Sequence, residues 1–93
     1  MQAKIWNYSA WIQETRPEKI REIFDEILKK SGFNILCFTD HHFTPLGYTS
    51  LWLLTESHFA AHTFPEFGKT YIELSSCNLK YYQEFLKLTE AMQ

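Results

Sequence analysis

Ninety-three residues, 45% hydrophobic and 17% aromatic, make a single domain over 1–93, near the small end of the usual range. A net charge of −2 argues against electrostatic binding to nucleic acid or an anionic membrane. No apolar run reaches bilayer length, so no membrane partner is expected. The two cysteines, Cys37 and Cys77, make a poor disulfide framework, and the start MQAKIWNYSAW lacks a basic-then-apolar secretion signal. Both point to a reduced, cytoplasmic protein.

Residues 4–12 are rich in aromatic and β-branched side chains and read as a first strand. Its facing is ambiguous, with Trp6, Tyr8, Ala10 and Ile12 on one side and Ile5 and Trp11 on the other. Thr15 can cap the next segment, and Pro17 suits a first helical turn. Ile20, Ile23, Phe24, Ile27 and Leu28 then recur at helical spacing, and Gly32 supplies a left-handed terminus. Phe33 to Thr39 reads as strand two, followed by turn chemistry from Asp40 to Gly47 that contains His41 and His42.

Strand three covers Tyr48–Thr55, strand four Phe59–Thr63 and strand five Thr70–Ser75, with Pro65 and Gly68 marking a turn. Asn78 can cap a last helix whose apolar stripe is Leu79, Tyr82, Phe85, Leu86 and Met92. The order β-α-β-β-β-β-α favours an α+β two-layer sandwich, a mainly antiparallel sheet with both helices on one face. The sheet's other face needs a cover, and the surplus aromatics suit a twin sheet in a homodimer, giving α/β/β/α layering.

The chemistry concentrates between Thr55 and Glu66, which holds Glu56, Ser57, His58, His62 and Phe64-Pro65-Glu66 between apolar strands. His58 and His62, four apart, share a face in a helix or a strand. The zinc-protease pattern needs Glu after the first His, where Phe59 stands, and neither cysteine has a partner at zinc-ribbon spacing. Only imidazole spacing supports a metal, so none is assigned. A Ser–His hydrolase would want glycines two residues either side of Ser57, where Thr55 and Phe59 stand. A turn serine remains open for Ser57. The plain reading of His41 and His42 is polar loop residues, and it is preferred for His42. Cys37 reads as packing, whereas Cys77, just ahead of a helix start, is placed to have its thiolate stabilised.

Glu56-Ser57-His58, then His62-Thr63-Phe64-Pro65-Glu66-Phe67-Gly68, then Cys77 resembles the bacterial S-adenosylmethionine decarboxylase proenzymes, without obvious gaps from about Ser31 to Cys77. The resemblance implies a self-processing, pyruvoyl-dependent enzyme of polyamine (spermidine) biosynthesis. Ser57 would attack the Glu56 carbonyl and β-elimination would follow. The products would be a β chain, 1–56, and an α chain from 57 capped by a covalent pyruvoyl cofactor. His62 would transfer a proton during processing, and Thr49 stands where the family carries a second processing serine.

The pyruvoyl group would take the substrate amine as a Schiff base and act as an electron sink. The resemblance makes Cys77 the proton donor to the decarboxylated carbon, Phe43 and Phe64 the rings flanking the adenine, and Glu66 the ligand of the ribose hydroxyls. It also implies a homodimer. Asn78 stands where a glycine usually follows the cysteine, Phe64 where tryptophan is usual, and the first strand lacks the family's carboxylate. The chain also ends after the second helix, where relatives continue into another strand. These departures motivate two further readings: a pyruvoyl-dependent arginine or ornithine decarboxylase, and an unprocessed, non-catalytic binding or regulatory subunit.

Overall fold

A computed structural model describes residues 4–92. Residues 1–3, where the N-terminal targeting reading begins, and residue 93 lie outside the described residues. The elements are β1 (Trp6–Ile12), α1 (Pro17–Ser31), β2 (Ile35–His42), β3 (Tyr48–Leu54), β4 (Ser57–Phe64), a 3-10 turn (Pro65–Phe67), β5 (Lys69–Ser76) and α2 (Leu79–Glu90). The five strands form one antiparallel sheet in the order β1-β5-β4-β3-β2.

Period-two alternation divides every central strand between two faces. On one face Tyr48, Ser50, Trp52 and Leu54 of β3, Phe59 and Ala61 of β4, and Ile72 and Leu74 of β5 are buried. Trp6, Tyr8, Ala10 and Ile12 of β1 share that face, which resolves the ambiguity of the first strand. Both helices cover it. Phe24 of α1 stacks at 4.6 Å on Phe59 and at 6.4 Å on Phe85 of α2, and Phe85 meets Phe59 at 5.4 Å. All three rings are fully buried, as is Trp52, and each such side chain contributes about 1.5–3 kcal/mol relative to exposure. The Trp52 indole N–H donates to Asp25 Oδ1 at 2.7 Å, so the one polar atom of that ring is satisfied while it ties α1 to β3.

The helix ends follow local chemistry. Pro17 opens α1 after Arg16 in an extended conformation, with no side-chain cap. The expected Thr15 cap is not formed; Glu14 instead accepts the backbone N–H groups of Thr15 and Arg16, each at 3.1 Å, and orders the chain just ahead of the helix. A longer side chain one residue upstream reaches donors that Thr15 cannot. Gly32 ends the helix at φ 110. Asn78 caps α2, its Oδ1 accepting from Tyr81 N at 2.9 Å.

Strand β2 extends through His42, beyond the expected end at Thr39, because its pairing with β3 continues to His42–Tyr48. His41 and His42 are therefore strand residues and not loop residues. Likewise β4 begins at Ser57, where a two-residue turn, Thr55-Glu56, closes a tight hairpin from Leu54. No helix among the described residues is long and apolar enough to cross a membrane.

Candidate active site

The register places the candidate residues at two separate ends of the sheet. Ser57 opens β4 and pairs across the sheet with Leu54 on β3 and Ser76 on β5. Its side chain turns towards the helix layer and is 8% exposed. The hydroxyl donates to Ser76 Oγ at 3.1 Å and accepts from the Cys77 backbone N–H at 3.4 Å. Ser76 Oγ is itself fixed between the N–H and carbonyl of Asn78, at 3.0 and 3.2 Å. Ser57 thus has hydroxyl and amide neighbours at the mouth of α2, with Cys77 exposed beside it.

The residue before Ser57 is unusual. Glu56 has φ 58, the one positive-φ residue among the described non-glycines. Holding a Cβ-bearing residue in that region costs about 1–2 kcal/mol, and such outliers concentrate where a bond must be presented for reaction. The strain falls on the peptide unit at which cleavage is expected.

The other end holds Thr49 and His62, directly paired on β3 and β4, with Thr49 Oγ1 3.0 Å from His62 Nδ1. Around them a concavity of about 240 Å³ is walled by Phe43, Tyr48, Thr49, His62, Phe64 and Glu66, among others. Phe43 and Phe64 are 51% and 38% exposed, so two aromatic faces are available to a flat ligand. Phe64 rests at 5.7 Å against Trp11, which also contacts Tyr71 at 5.3 Å. Beneath this end the Tyr48 hydroxyl donates to Asp40 at 2.6 Å. Burial, with Asp40 beside it, raises the Tyr48 pKa, so the phenol stays protonated as a donor.

Ser57 and His62 are five positions apart on one strand, which gives them opposite faces and about 16 Å of separation at ~3.3 Å per residue. Ser57 points to the helices, while His62 lies on the open face with Thr49. One chain therefore joins Ser57 to Cys77, and Thr49 to His62, Phe43, Phe64 and Glu66, without joining the two groups. His58 and His62 do share the open face, but four residues at ~3.3 Å place them about 13 Å apart, too far for one metal ion. Among the described residues no three metal-ligating side chains cluster. Ser76 was not singled out by motif; its signal is the Ser-Ser pair ahead of Cys77, which the register puts opposite Ser57.

The comparisons agree with this architecture. The family model described as S-adenosylmethionine decarboxylase matches residues 9–92. Among curated proteins, the S-adenosylmethionine decarboxylase proenzyme of Persephonella marina is 38% identical over 63 residues, 68% of this chain and 47% of that protein. The proenzyme of Methanococcus maripaludis strain S2 is 28% identical over 74 residues, 80% of this chain and 60% of the relative. The chain thus spans roughly half to three-fifths of the length of these relatives. The crystal structure of the Aquifex aeolicus adenosylmethionine decarboxylase superposes with a TM-score of 0.77 at 22% identity, covering 99% of this chain and 82% of that one, and it supports the fold. With the family model spanning nearly all of the described sheet and both helices, this chain belongs to the S-adenosylmethionine decarboxylase family.

Proposed function

We propose that this chain is a proenzyme that cuts itself between Glu56 and Ser57 and then decarboxylates S-adenosylmethionine, supplying polyamine synthesis. The observation that carries the reading is the geometry at position 57. A sheltered hydroxyl follows a strained Glu56 at a tight hairpin, and its Oγ is held by Ser76 and Cys77 N–H. Attack of Ser57 Oγ on the Glu56 carbonyl carbon breaks the peptide C–N bond and leaves an ester with a free Ser57 amine. Removal of the Ser57 Cα proton then expels Glu56 as a carboxylate. Hydrolysis of the resulting enamine releases ammonia and leaves the pyruvoyl group on residue 57.

Position 57 fits such a group, because the Cys77 backbone N–H already points at it as a donor for a carbonyl oxygen, with the Ser76 hydroxyl alongside. Once formed, the group supplies an electron sink for loss of the substrate carboxylate. Cys77, exposed beside Ser57, is the proton donor in this reading. Phe43 and Phe64 flank the planar base, and Glu66, which lines the same concavity, accepts from ribose hydroxyls.

His62 and Thr49 serve as the processing base and its hydroxyl partner, and they require a second copy of the chain. A base about 16 Å away on the opposite face cannot reach its own Ser57. The open sheet face is suited to a partner: Leu51, Leu53 and Trp11 are 46%, 53% and 52% exposed on it. Stacking two copies through that face gives α/β/β/α layering and brings the Thr49–His62 group of one copy beside the Glu56–Ser57 hairpin of the other, where Ser57 turns its hydroxyl from the helix side to the shared face for attack.

Intact mass under denaturing conditions tests the proposal. Conversion of the 11.1 kDa chain into two fragments whose masses sum to the precursor plus one water less one ammonia is expected, and Ser57→Ala stays whole. Cys77→Ala should cleave normally yet release CO₂ from S-adenosylmethionine roughly 100-fold more slowly or worse. A chain that never cleaves overturns the reading in favour of a non-catalytic subunit. Cleavage with CO₂ release from ornithine or arginine alone would reassign the substrate.

A further inference from the structure

The hairpin that carries the proposed cleavage bond adopts a turn that its strands do not favour. Two-residue hairpin loops usually take positive φ at both central residues or at the first, because those turns match the twist of the strands. Here the central residues are Thr55 and Glu56, between the paired Leu54 and Ser57, and only the second has positive φ, at 58. That sign pattern belongs to a turn that splays its strands, and it suits glycine at the second position. Glu56 stands there instead. Burial does not hold the turn, since Thr55 and Glu56 are both exposed and a concavity of about 360 Å³ opens beside them.

The hold comes from the start of β2. Asn34, the residue just ahead of that strand, binds Thr55 twice and in opposite senses. Its carbonyl accepts the Thr55 backbone N–H at 3.1 Å, and its Nδ2 donates to Thr55 Oγ1 at 3.2 Å. The first bond carries the β2–β3 contact one residue past the Ile35–Leu54 pair, and the second fixes the side chain. Either favoured turn would need positive φ at Thr55, and reaching it would turn the amide and hydroxyl away from Asn34. Keeping both bonds leaves the positive φ to Glu56.

We propose that Asn34 is a positioning residue for self-cleavage, gripping Thr55 so that the turn keeps Glu56 at positive φ and the Glu56–Ser57 peptide unit strained. Its functional meaning rests on the self-processing proposed above, whereas its hold on the turn does not.

The test reads the turn and the cleavage separately. In the uncleavable Ser57→Ala chain, NMR cross-relaxation should show the short amide-to-Hα proton distance within Glu56 that only positive φ gives. Asn34→Ala and Thr55→Val should each lengthen it, while Thr55→Ser, which keeps the hydroxyl, should leave it short. In the Ser57 chain, Asn34→Ala and Thr55→Val should each slow cleavage roughly tenfold, the factor one net hydrogen bond commands. Combining the two should cost no more than either alone, because they remove one bond. Thr55→Ser should cleave at the parent rate. Asn34 and Thr55 are exposed and the main-chain bond survives every change, so the variants fold. The reverse pattern, Thr55→Val normal and Thr55→Ser slow, would assign the turn to β-branching and overturn the proposal. Parent-rate cleavage in Asn34→Ala, or a Glu56 that stays at positive φ there, overturns it as well. If Glu56 follows Asn34 but the parent chain never cleaves, the hold on the turn stands and the self-processing reading falls.

Discussion

At the scale of single residues, Glu14 shows how a side chain missed by motif can hold an element in place. The Arg16 guanidinium bonds its carboxylate at 2.8 and 3.0 Å, and the backbone N–H groups of Arg16 and Thr15 add to that; together they bring its pKa down to about 2. A carboxyl depressed on folding contributes stability above its unfolded value, near 4.5, and loses it as pH falls towards 2. Arg16 is well exposed, so solvent screens the pair and its contribution is small. Glu14→Gln should therefore lower the melting temperature by a few degrees at pH 6. The gap to the parent should narrow between pH 4.5 and pH 2 and close below it. Thermal unfolding of both chains across that range is the check, and a gap independent of pH would mean the carboxylate charge is irrelevant.

Elements were legible where a pattern was local and less so where pairing decided. The periodicity of α1, the Gly32 terminus and the Asn78 cap need only neighbours in sequence, and all three stand in the structure. The reach of β2 to His42 depends on Tyr48 across the sheet, and the turn chemistry after Thr39 disguised it. The largest consequence came from two residues at the start of β4. With that strand begun at Phe59, Ser57 belongs to a turn and its facing is open. Begun at Ser57, the odd spacing to His62 puts the two on opposite faces. Motif spacing could pick out both residues, but only the register separates them.

Gly32 carries the prediction at this scale. Its φ of 110 is strained for any side chain, and an added Cβ would lie 2.6 Å from Cε1 of Tyr81 on α2. Gly32→Ala should cost about 2–3 kcal/mol in urea unfolding, combining the backbone term with ring displacement. Adding Tyr81→Ala should recover the steric part, giving a coupling of about 1 kcal/mol in a double-mutant cycle. Strict additivity would assign the whole loss to the backbone.

For the whole molecule, the question is whether the two residue groups meet within a chain or between chains. A stacked pair of copies has two composite sites, each taking Ser57 from one copy and His62 from the other. Mix Ser57→Ala with His62→Ala under conditions that let copies exchange. In a mixed pair one site then lacks both residues, while the other keeps both: Ser57 on the His62→Ala chain faces the intact His62 of its partner. Neither variant should cleave alone, and mixing should restore cleavage on the His62→Ala chain only, which mass identifies by its fragments. A site complete within each chain predicts no recovery, since one chain has no nucleophile and the other no base. Leu53→Lys in both partners supplies the companion test, because it sets a charge on the open face, where Leu53 is 53% exposed, opposite an apolar twin. If the pairing runs through that face, recovery disappears although each chain still folds. Recovery that survives Leu53→Lys would move the interface elsewhere on the molecule.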